Sequence, residues 1–124
     1  MHGKYVVVKK EYVSPLIEVT AHTVCSGRVF SLCFRTKQQY YIGDKLNIRV
    51  AKSQTKQQYQ IVSQEIFINN ISKNSPVKNM VEAMSSDIVL LIMSNGSIIP
   101  VSAEESKGFE VGDHIKLEIT KEEK

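Results

Sequence analysis

The sequence has no tryptophan, two cysteines, three prolines and six glycines in 124 residues, and aromatic residues reach only 7%. Two cysteines, Cys25 and Cys33, are too few for a disulfide scaffold. So few glycines and prolines exclude a collagen, and a coiled coil and a knottin are excluded with it. No apolar run approaches the roughly 20 residues that cross a bilayer. The longest, Ile88 to Met93, is strand-sized, so no membrane partner is expected. The N-terminus lacks a basic head, an apolar stretch and a small-residue cleavage site. No secretory signal is therefore expected, and the reading is a cytoplasmic protein.

Motifs of catalysis are also missing. There is no Gly-x-Gly-x-x-Gly and no Gly-x-x-x-x-Gly-Lys-Ser/Thr, hence no phosphate-cradling loop. The histidines are His2, His22 and His114. His22 and Cys25 are close in sequence, but strand alternation puts them on opposite faces, and no second pair completes four metal ligands. Cys25 beside His22 is the one nucleophile–base arrangement, and nothing orients it. A non-enzyme without cofactor or metal is expected, with both cysteines serving as small hydrophobes.

What is present is a globular composition, 42% hydrophobic and 23% charged, of a size for one ordinary domain. The net charge of +3 conceals a division. Residues 1–78 hold twelve basic and four acidic residues, net +8, and residues 79–124 hold four lysines and nine acids, net −5. Such asymmetry points to a partner for the basic part, and a polyanion is the usual one because it releases counterions on binding. The acidic part of one molecule docking on the basic part of another is a second consequence.

The periodicity is that of strands. Strands are predicted at Tyr5 to Val8, Leu16 to Val24, Val29 to Arg35, Leu46 to Val50, Ile88 to Met93, Ile98 to Val101 and His114 to Thr120. A longer one at Tyr59 to Ile71 needs a bulge near Ser63–Glu65, because one alternation cannot accommodate its six apolar residues. Ser75-Pro76 opens a short amphipathic helix over Pro76 to Ser85, with Val77, Met80, Val81 and Met84 on one face. Asn95-Gly96 marks a hairpin turn. Pro100 marks an edge strand.

Two repeats stand out. Ile42-Gly43-Asp44-Lys45-Leu46-Asn47-Ile48-Arg49-Val50 matches Val111-Gly112-Asp113-His114-Ile115-Lys116-Leu117-Glu118-Ile119 in pattern. Gly-Asp supplies a turn and the alternation launches a half-buried strand. This reads either as a duplication or as two generic strand starts. Thr36-Lys37-Gln38-Gln39-Tyr40 recurs identically as Thr55-Lys56-Gln57-Gln58-Tyr59, nineteen positions on. Lysine, two glutamines and a tyrosine make a stacking and hydrogen-bonding set suited to unpaired bases. A plainer role is a polar loop whose tyrosine closes the end of a barrel.

Residues 28–72 resemble the later part of an OB-fold of the single-stranded DNA-binding type. The likeness rests on Phe30-Ser31-Leu32, on Tyr41 to Ile48 with its Gly-Asp turn, on the polar loop Lys52 to Gln58, and on Gln64 to Ile71. It covers about 45 of 124 residues. The family's usual tryptophan is absent, and residues 73–124 have no counterpart in a minimal OB-fold. The resemblance implies an all-β, OB-like small β-barrel over residues 1–72, which is the basic part. Residues 73–124 would add a short helix and a C-terminal β-hairpin unit, acidic, completing the domain or extending it.

The function implied is non-enzymatic binding of single-stranded DNA or RNA. Arg28, Arg35, Lys37, Arg49, Lys52 and Lys56 would follow the phosphates, and Tyr40, Tyr41 and Tyr59 would stack on bases. The alternative is an assembly subunit of a viral particle or multiprotein complex, acting as a homo-oligomer or on a protein partner through residues 79–124 and a β-edge at Ile98 to Val101. A barrel sensing a small anion is a third idea, motivated by the two Gly-Asp strands.

Overall fold

The computed structural model describes residues 3–55, 59–67 and 88–122. Lys56, the helix expected over Pro76 to Ser85 and the end of the long strand beyond Phe67 lie outside them. The described chain is built of eight antiparallel strands: β1 (Gly3–Val13), β2 (Leu16–Cys25), β3 (Arg28–Thr36), β4 (Lys45–Lys52), β5 (Ile61–Phe67), β6 (Ile88–Met93), β7 (Ile98–Ser102) and β8 (Ile115–Lys121). One helical turn, α1 (Ala103–Ser106), follows β7 and is capped by Ser102, whose Oγ accepts from the Glu105 N–H at 3.1 Å.

The strands form a five-stranded sheet, β3-β2-β1-β4-β8, and a three-stranded sheet, β5-β6-β7. They do not form one closed barrel, which corrects that part of the sequence expectation. The physical reason lies at the edges. One bridge, Gln60 to His114, joins the beginning of β5 to β8. On the other side, β3 meets the β6–β7 turn through side chains: the Cys33 N–H donates to Ser97 Oγ at 2.8 Å, and Asn95 Nδ2 donates to the Cys33 carbonyl at 2.9 Å. In β7, Pro100 has no N–H to offer. The two sheets enclose one apolar core. Tyr5, Val7, Leu32, Phe34, Leu46 and Ile48 meet Ile61, Leu91, Met93, Ile99 and Ile115 there, residues from both sides of position 72. Burial of this kind contributes about 1.5–3 kcal/mol per large side chain.

The Gly-Asp repeat is a structural repeat. Gly43 and Gly112 have φ of 96° and 99°, the left-handed region that disfavours a Cβ. The Gly43 N–H donates to the Val7 carbonyl and the Gly112 N–H to the Ile61 carbonyl, both at 2.8 Å. Val7 donates back to the Asp44 carbonyl and Ile61 to the Asp113 carbonyl, both at 3.0 Å. Asp44 Oδ2 accepts from the Tyr41 N–H, and Asp113 Oδ2 from the Glu110 N–H, each at 2.8 Å. A lysine from the opposite half approaches each carboxylate at 3.4 Å: Lys121 reaches Asp44 and Lys52 reaches Asp113.

The registers repeat too. Val7 stands opposite Ala21 and Ile61 opposite Met93, and after each the register slips by one residue, at Val8 and at Val62. Tyr5 and Tyr59 precede these positions by two residues, and both are buried. Lys10 Nζ donates to the Tyr40 carbonyl at 3.1 Å, and Gln64 Nε2, in the matching place, to the Phe109 carbonyl at 3.0 Å. β4 and β8 pair with each other, Arg49 facing Glu118. These two residues hold the same place after their turns, so a local two-fold axis runs between them.

The two aspartates supply a pH test of this arrangement. The Tyr41 N–H, then Lys121, hold the Asp44 carboxyl below its usual range, and the Glu110 N–H, then Lys52, do the same for Asp113. A carboxyl with a lowered folded-state pKa stabilises the fold fully above its unfolded value, and that contribution is lost as pH falls through the folded value. Urea unfolding between pH 7 and pH 2 is expected to show stability falling below about pH 4. The fall should be shallower in Asp44→Asn and Asp113→Asn, by similar amounts because the turns are equivalent.

Candidate functional site

β3 and β8 are the two edges of the five-stranded sheet, and both line one cleft of about 300 Å³. Its floor is Phe34, Tyr40, Tyr59, Leu117 and Ile119, and its polar wall is Arg35, Thr36, Gln38 and Lys116. Lys116 also lines a second cleft, of about 430 Å³, with Lys52, Ser53, Gln54 and Thr55. The described lining of these two contains three cations and no carboxylate.

This answers where the repeated pentapeptides go. Thr36, Gln38 and Tyr40 of the first copy and Tyr59 of the second line the same cleft, and Thr55 lines its neighbour. Those residues of the two copies therefore lie at these two clefts.

The tyrosines of those loops are core residues. Tyr40 is 3% exposed and Tyr59 is 9% exposed. The Tyr40 ring meets Phe34 edge-on at 5.6 Å, and its hydroxyl donates to Gln38 Oε1 at 3.1 Å. Burial, then the charge of Asp44, pushes the Tyr40 phenol up. Tyr59 Oη accepts from the Arg35 N–H at 3.1 Å, which occupies a β3 donor that would otherwise face outward. Both rings are too deeply buried to offer a free face for base stacking, and Lys121 Nζ lies over the Tyr40 ring at 5.0 Å. Tyr41 is the exposed one, at 55%, with Lys10 Nζ 4.8 Å and Lys121 Nζ 5.5 Å from its ring centre.

The basic residues named from the sequence that are described, Arg28, Arg35, Lys37, Arg49 and Lys52, are exposed but not gathered into one site. Arg35 pairs with Glu18 at 3.3 Å, Arg49 with Glu118 at 3.4 Å and Lys52 with Asp113 at 3.4 Å. Arg28 lies over the Phe67 ring at 5.4 Å. Lys37 is exposed in the loop after β3. Arg35 and Lys52 reach the two clefts; Arg28, Lys37 and Arg49 do not line them.

Lys116 was not singled out from the sequence, yet it joins the clefts and has no ion-pair partner among the described residues. The repeat contained the signal. Following the registers, Arg35, Thr36, Gln38 and Lys116 correspond to Pro100, Val101, Ala103 and Asn47. The second half builds the same fold with none of those charges. No group of three or more metal-ligating side chains occurs among the described residues. No described helix is long and apolar enough to cross a membrane. Comparison with protein families, with curated proteins and with solved structures returned no match.

Burial of the two tyrosines sets an expectation for stability. Tyr40→Ala and Tyr59→Ala should each lower unfolding free energy by about 3–5 kcal/mol, read from denaturant midpoints. Tyr59→Phe, which removes the acceptor of the Arg35 N–H, should lower it by about 1 kcal/mol.

Proposed function

We propose that the protein binds single-stranded nucleic acid without catalysis, in the groove between β3 and β8. The observation that carries this reading is the convergence of Arg35, Lys116 and Lys52, with Thr36, Gln38, Tyr40, Thr55 and Tyr59 of the repeated loops, on two adjoining clefts whose described lining has no carboxylate. Cations in such a groove follow a phosphate backbone, while hydroxyls and amides such as Thr36, Gln38, Ser53 and Gln54 reach sugars and base edges. The internal repeat supports it, since the matching positions of the second half meet the demands of the fold with Pro100, Val101, Ala103 and Asn47. The likeness of residues 28–72 to single-stranded DNA-binding OB-folds agrees, as does the +8 charge of residues 1–78. Of the three tyrosines named from the sequence, Tyr41, with Lys10 and Lys121 near its ring, is the exposed one.

Assembly through strand edges has less support. β3 already gives its Cys33 and Arg35 N–H groups to side chains, and Pro100 interrupts β7, so these edges are poor templates for another strand.

Titrating a labelled oligothymidylate and following fluorescence anisotropy at two salt concentrations tests the reading. Saturable binding that weakens with salt is expected, with duplex DNA the poorer competitor. In Arg35→Ala/Lys116→Ala the slope of log affinity against log salt should shrink by about 1.4, the loss of two phosphate contacts on a single strand. Absence of saturable binding at low salt would overturn the proposal, as would an unchanged slope in a folded double variant.

A further inference from the structure

Arg35 stands where two spaces meet. It lines the large cleft and also a smaller one, of about 190 Å³, with Glu18, Cys33, Phe34, Tyr59 and Asn95. Glu18 is its cross-strand neighbour, and Glu18 Oε2 accepts from Arg35 Nε at 3.3 Å. Both side chains are partly exposed, at 32% for Glu18 and 45% for Arg35. Arg35 thus borders the large cleft while paired with Glu18, and a surface ion pair of this kind offers little resistance to exchange.

Lys52 is also tied to a carboxylate, but the two cases differ. Asp113 is fixed by the Glu110 N–H and belongs to a turn that Asp44 and Lys121 reproduce in the first half. That pair is part of the fold. The Glu18–Arg35 pair is not, because the registers put Leu90 and Pro100 in its place in the second half. Glu18 has no hydrogen-bond or ion-pair partner besides Arg35 among the described residues.

We propose that Glu18 competes with the bound nucleic acid for Arg35, and so sets how many cations the groove presents; this rests on the nucleic-acid reading above. A phosphate that reaches the groove displaces one carboxylate from one guanidinium, and the released Glu18 turns to water. Glu18 is thus a positioning residue acting through Arg35, and it tempers affinity.

The test is anisotropy of the labelled oligothymidylate on wild type, Glu18→Gln, Glu18→Leu (which copies the second half), Arg35→Ala and Glu18→Gln/Arg35→Ala, with melting curves to confirm folding. Glu18→Gln should bind about two- to five-fold more tightly at low salt. Its salt slope should stay at the wild-type value, because Arg35 reaches a phosphate in both, and the gain should depend on Arg35, a coupling that a merely structural role would not produce. Glu18→Leu should do the same, and Arg35→Ala should abolish the effect. If wild type binds while both Glu18 variants keep its affinity, the competition is refuted and the groove stands. Equal tightening in the Arg35→Ala background would refute it too, leaving a general charge effect. If neither wild type nor the Glu18 variants bind, both readings fall.

Discussion

The antiparallel pairing of β4 with β8 is the constraint on which the rest depends. It joins the basic part of the chain to the acidic part along a continuous ladder from Leu46 opposite Lys121 to Lys52 opposite Ile115. It places each Gly-Asp turn so that the lysine ending one strand meets the aspartate beginning the other. It also makes β8 an edge, and thereby creates the cleft that β8 shares with β3. The charge division of the sequence acquires a local meaning here: Arg49 and Glu118 hold equivalent places and carry opposite charges, so the pair that sits on the two-fold axis is complementary. Had the two halves kept the same residue there, like charges would have faced each other.

A repeat within a chain is also an internal comparison. Where the halves agree, in Gly43 and Gly112, Asp44 and Asp113, Tyr5 and Tyr59, the residue answers a demand of the fold. Where they differ, the fold has been satisfied twice by different means, and the difference is free to serve something else. Arg35 against Pro100 and Lys116 against Asn47 are of the second kind. So is the separation of the hairpin strands, by Ser14-Pro15 in the first half and by residues 68–87 in the second.

Most strands were readable from alternation alone, because one face of each is buried and the period is two. Ile88–Met93 coincides with its predicted bounds, and Pro100 marked an edge strand correctly. The long strand was read with a bulge near Ser63–Glu65, and the register slips slightly earlier, at Val62. Beside the slip the Gly112 N–H donates to the Ile61 carbonyl at 2.8 Å, a contact between distant residues that local alternation cannot place. Tyr40 and Tyr59 misled for a related reason. A tyrosine in a polar loop looks like a binding residue until the core beneath it is known, and Phe34 and Arg35, which receive these rings, come from another strand. The groove was invisible to sequence reading because β3 and β8 meet across it from opposite ends of the chain.

The ladder between β4 and β8 carries a consequence for how the protein comes into being. Its partners, such as Leu46 and Lys121, are separated by most of the chain, and closing so long a loop costs entropy before the contacts repay it. β1, β2 and β3 can form their hairpins as soon as they are synthesised. β4 can join β1 then, but its other edge stays open until residue 121 has left the ribosome. Throughout that interval Leu46, Ile48 and Val50 lack part of the cover that the finished core gives them. The first half is therefore the stretch most exposed to wrong partners during synthesis, and the last strand is what ends that exposure.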